Sequence, residues 1–123
     1  PKTIKQERKI AITKSSDGTI IANAFVTNNE VSIVLEDNVI LDSKTPPLKT
    51  FFVDRIIGEM KKNDVQQVED GKIKNHEVID CIINDNGSKI REIIIKNYRQ
   101  KERVDEIINT ATWSLTRMIE NSV

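Results

Sequence analysis

The stretch Asp17–Ser43, DGTIIANAFVTNNEVSIVLEDNVILDS, decides the fold class. Asp17-Gly18, Asn28-Asn29 and Asp37-Asn38 punctuate it at intervals of roughly ten residues, each between runs of Ile, Val, Leu and Phe. Asn, Asp and Gly tolerate the positive φ that tight hairpin turns require. In Glu30–Glu36, Val31, Ile33 and Leu35 alternate with Ser32 and Glu36, the period of a strand with one buried face. The spacing predicts a four-strand antiparallel meander with strands near Lys9–Lys14, Thr19–Thr27, Glu30–Glu36 and Val39–Ser43.

Downstream of the meander the period changes. Thr45 is a suitable N-cap and Pro46 suits a first helical position. Leu48, Phe52, Ile56 and Met60 recur at four-residue steps, predicting a helix closed by Lys61, Lys62 and Asn63. Glu69-Asp70-Gly71-Lys72 reads as a further turn. The segment His76–Asn84 fits a helix by Ile79, Ile82 and Ile83, or a strand by Ile79, Cys81 and Ile83. Asp85-Asn86-Gly87 and the β-branched run Ile93–Ile95 favour a hairpin with Lys89–Lys96. Asn97 with Gln100 suggests a capping box. Val104, Ile107, Ile108, Ala111, Leu115, Met118 and Ile119 then mark a long amphipathic helix from which Trp113 departs. The expected class is α+β: antiparallel hairpins packed against a mid-chain helix and a long C-terminal one. A hairpin–helix plan recurs over 30–62 and 76–120, with chance recurrence of a common motif the better account.

The chain has 123 residues, a single-domain length, with residues 1–8 expected to form a basic segment, either a frayed arm or a short helix. Its 19 basic and 19 acidic residues balance, so no global field points to nucleic acid or to an anionic membrane. The single cysteine, Cys81, allows no internal disulfide. No apolar run approaches the roughly twenty residues of a membrane span, and no signal peptide is visible, so a cytoplasmic protein is expected. Abundant Ile, Lys and Asn with scarce Leu suggest A/T-rich coding, as in a phage, a plasmid or another mobile element.

Chemistry is sparse. His76, Asp80 and Cys81 are too few for a zinc site and too poorly converged for Cys–His catalysis. The carboxylate pairs lie on turns or exposed helix faces, and no phosphate loop or nucleophile elbow occurs. A non-enzymatic protein without cofactor or metal is expected. Charge segregation stands above background: Lys89, Arg91, Lys96, Arg99, Lys101 and Arg103 cluster with Tyr98, supported by Lys2, Lys5, Arg8 and Lys9 of the arm. That segment could contact nucleic-acid phosphates, DNA or RNA, with Tyr98 stacking on a base. Arg99 and Arg103 are then expected to be replaceable without unfolding. The alternative is a protein–protein interaction module, such as an immunity protein, an inhibitor or an assembly component. It would act through the acidic centre or through Trp113 and Arg117, most simply as a homodimer.

Overall fold

The computed structural model describes residues 8–14, 17–37, 39–41, 48–87 and 89–121. Five antiparallel strands form one sheet: β1 (Arg8–Thr13), β2 (Ile20–Val26), β3 (Glu30–Leu35), β4 (Asp80–Asn86) and β5 (Lys89–Lys96), in the order β1-β2-β3-β5-β4. A π-helical segment, Leu48–Ile57, runs into α1 (Gly58–Glu69), and α2 (Lys101–Asn121) closes the chain. This is the α+β class predicted from the sequence.

The alternation in β3 sorts its side chains as expected. Val31, Ile33 and Leu35 are buried, while Val34 faces out. Register carries that face across the sheet. Ile33 lies opposite Ala24 on β2 and Ile93 on β5, and Ile93 lies opposite Ile83 on β4. In β2, Thr13 pairs with Ile20 and Ile12 with Ala22, leaving Ile21 as an extra residue. This bulge is why Ile21 and Ala22 are both buried despite being adjacent. A matching bulge in β5 leaves Arg91 unpaired between Ile90 and Glu92.

The ambiguous segment is a hairpin. Gly87 takes φ +74°, a conformation that a side chain would strain, and it turns β4 into β5. Isoleucines then face each other across the ladder, Ile82 with Ile94 and Ile83 with Ile93.

Three expectations are corrected. Among the described residues the meander has three strands, with β5 in the place beside β3 that the sequence assigns to Val39–Ser43, of which Asp42 and Ser43 lie outside the described residues. Of that segment, Val39 closes a turn onto Glu36 O, and Leu41 O accepts a bond from Ile90 N–H at 2.8 Å. The helix expected to stop at Asn63 continues to Glu69, where Gly71 at φ +77° ends it. Lys72 N–H bonds Gln67 O and Gly71 N–H bonds Val68 O, the paired bonds of a glycine-terminated helix. Asn97 is not an N-cap; α2 starts four residues later, at Lys101. Thr45 and Pro46, and the arm residues Lys2 and Lys5, lie outside the described residues.

The core joins the inner sheet face to Phe52, Ile57 and Met60 on one helical side and to Val104, Ile107, Ala111, Leu115 and Met118 on the other. Among the described residues no helix is long and apolar enough to cross a membrane.

Candidate functional site

Asp64 continues the apolar stripe of the mid-chain helix, four residues beyond Met60, and it is fully buried. A lone carboxylate there would be costly to desolvate, so it must be paired. Arg103, on the first turn of α2, supplies a fork: Nη1 lies 3.0 Å from Oδ2 and Nη2 lies 2.8 Å from Oδ1. Arg99 Nη2 bonds Oδ1 at 2.5 Å, and Ile79 N–H donates to Oδ2 at 2.9 Å. Burial alone would raise the Asp64 pKa; Arg103, the Ile79 N–H and Arg99 together outweigh it and hold the carboxyl below its ordinary value.

The turn that delivers these arginines is strained. Asn97 and Arg99 both have φ +64°, unusual for residues with a Cβ. Surrounding bonds hold it. Asn97 Nδ2 donates to His76 O at 3.0 Å and to Val78 O at 3.1 Å, and Asn97 N–H donates to Asn29 O at 2.6 Å. Tyr98 is buried, with its hydroxyl on Thr27 O. Strain of this kind persists only where neighbours over-determine it. Here it ties the β2–β3 hairpin, α1, the entry to β4 and α2 at one junction.

This junction corrects the expected basic surface. Tyr98 is not free to stack on a base, and Arg99 and Arg103 are spent on Asp64. Their replacement by alanine therefore should not leave the fold intact. The remaining cations of the segment are spread along β5 and onto the start of α2. Lys89 and Lys96 stand at opposite ends of β5, roughly 20 Å apart at the usual strand rise. Arg91, on the bulge, bonds Asp37 at 3.1 Å. Lys96 sits across from both Glu30 and Asp80. Lys101 is exposed at the start of α2. Beside the start of β4 a cleft of about 430 Å³ is lined by Lys61, Val65, His76, Asp80 and Lys96. Asp80, 3.7 Å from Lys61 Nζ, offsets its positive charge.

His76 is exposed on a short 3-10 turn, Asn75–Glu77, and Cys81 is half-buried on β4. Burial, then the neighbouring Asp80, pushes the Cys81 thiol up to about 12. Thiolate is the reactive form, so Cys81 should label far more slowly at pH 7.5 than it does in the denatured chain. A stopped-flow disulfide-exchange assay checks this, and equal rates would contradict it. Among the described residues no three His, Cys, Asp or Glu side chains gather as a metal centre needs.

The outer side of α2 carries a different grouping. Leu115 is buried, and Trp113, two residues earlier and about 200° round the helix, is 47% exposed. Phe51 from the π-helical segment packs against it, with ring centroids 5.1 Å apart and tilted by 60°. The Arg117 guanidinium lies 5.7 Å from the indole centroid, within cation–π range. The sequence marked Trp113 and Arg117; only the fold adds Phe51. No family model, curated protein or solved structure matches this chain, so these residues carry the functional reading.

Proposed function

We propose that this protein is a non-enzymatic protein–protein interaction module whose working surface is the outer side of α2 around Trp113. The observation that supports this reading is the Trp113–Phe51–Arg117 cluster: a large indole held in place by a tilted ring and a guanidinium, yet half open to solvent. Trp and Arg are the residues most enriched where binding energy concentrates, and an aromatic already fixed by neighbours loses little freedom on docking. The core stripe of α2 is complete without it, so stability alone gives no reason for a Trp at that position. Among the described residues the nucleic-acid alternative is left with Arg8 and Lys9 on β1 and with Lys89, Arg91, Lys96 and Lys101, which are spread along the chain and partly paired with acids.

Parallel capture with the wild-type chain and with Trp113→Ala tests the proposal, followed by titration of the recovered partner against the purified chain. Trp113 is the only tryptophan, so its fluorescence reports contact directly. Trp113→Ala should weaken binding by about 2 kcal/mol, roughly thirtyfold in Kd. Unchanged affinity would remove the proposal. Retention on DNA near 50 mM salt that falls steeply with salt and ignores Trp113 would favour the nucleic-acid alternative.

A further inference from the structure

The sheet has two edges, and they differ in chemistry. The β1 edge carries Arg8 and Lys9, cations of the sort that discourage strand addition. The β4 edge, DCIINDN, has neither Lys, Arg nor Pro, and among the described residues β4 pairs with β5 alone. Its apolar centre is incompletely covered: Ile82 is 36% exposed, and Cys81 and Ile83 are half-buried. Over Asp80–Asn84 the strand runs in unbroken register, and a stretch with that centre is a ready template for another strand.

The backbone shows which groups face outward. Ile79 N–H is taken by Asp64, and Cys81 N–H by its neighbour Asp80 Oδ1 at 3.0 Å, not by β5. Residues of an antiparallel strand alternate in the side to which they send both backbone groups. Cys81 and Ile83 therefore direct N–H and C=O to the edge away from β5, while Asp80, Ile82 and Asn84 bond β5.

We propose that β4 pairs antiparallel with β4 of a second copy about a two-fold axis through Ile82, joining the two sheets into one. Outward groups meet outward groups only if odd-numbered residues face odd-numbered ones, which also keeps both sets of helices on one side. The register centred on Ile82 satisfies this with complementary side chains. Ile82 faces Ile82 of the second copy, Cys81 faces Ile83 and exchanges both backbone bonds with it, and Asp80 faces Asn84. Centring on Ile83 instead would set Ile82 against Asn84 and Cys81 against Asp85. In the separate chain Asp80 covers the Cys81 N–H and lies 3.7 Å from Lys61. On pairing it releases that N–H and accepts from the Asn84 amide of the second copy. Asn84 has two N–H bonds to give, one of which goes to Glu92 Oε1 at 3.2 Å.

Sedimentation of the full chain from micromolar to several hundred micromolar should show a monomer–dimer equilibrium. Ile82→Lys, which sets two cations face to face at the axis, should weaken it at least tenfold while keeping the monomer's circular dichroism. In a Cys81→Ala background, Ile82→Cys should form an intermolecular disulfide under oxidised glutathione, since directly opposed positions lie within bridging distance. Asn84→Cys in the same background should not, because its own copy lies several residues along the strand. A chain monomeric throughout that range overturns the proposal. So does a dimer that survives Ile82→Lys, one that Trp113→Ala dissociates instead, or equal cross-linking at positions 82 and 84.

Discussion

Asp64→Ala should destabilise the fold by about 3–5 kcal/mol, the usual cost of breaking a buried ion pair from one side. Total stability of a domain is ordinarily about 5–15 kcal/mol, so this change consumes much of it. The loss comes from what remains: the buried Arg103 and the largely buried Arg99 would keep their charges without the carboxylate that receives them. Urea titration by circular dichroism measures it, and a cost below about 1 kcal/mol, the scale of a surface pair, would refute the role given to Asp64. Replacing all three residues together, as Asp64→Leu with Arg99→Met and Arg103→Met, should recover much of the loss, because an apolar cluster carries no desolvation penalty. The same residue sets an acid limit. A carboxyl whose folded pKa lies below its ordinary value contributes stability that is fully present above that ordinary value. That contribution is lost as pH falls through the folded value. Asp64→Asn should therefore flatten the decline in stability below about pH 4 relative to wild type. An unchanged acid slope would contradict the pairing.

Phe52→Ala should cost about 3–5 kcal/mol, the range for truncating a fully buried aromatic. Phe52 has no exposed surface and lies on the π-helical segment that packs along α2. Its ring adds the lost burial of apolar area to the cavity left behind. Phe51 is the matched control, being the neighbouring ring on the outer side. Phe51→Ala should cost less stability and should act mainly by freeing the Trp113 indole, read as a change in fluorescence anisotropy. Equal stability losses at the two positions would mean that the segment is placed differently.

By itself the amino-acid sequence determined what depends on near neighbours in the chain. The Asp17-Gly18 and Asn86-Gly87 turns placed two hairpins because positive φ is a local demand that glycine meets, whereas Asn28-Asn29 turns β2 into β3 without positive φ. Period-two and near-four spacing named the buried faces, since each regular element repeats its own geometry along the chain. The displacement of Trp113 from the α2 stripe was legible for the same reason. Tertiary structure decided whatever depends on partners distant in sequence. That β5 pairs with β3 in place of Val39–Ser43 is a competition between strands, which spacing does not express. Arg99 and Arg103 resemble surface cations until Asp64, 35 and 39 residues away, is seen to face them. One signal was present: Asp64 stands where the apolar stripe calls for a hydrophobe, four residues after Met60. A charge in a buried stripe demands a counter-charge, but its location follows only from folding, because Coulomb attraction acts through space and not along the chain.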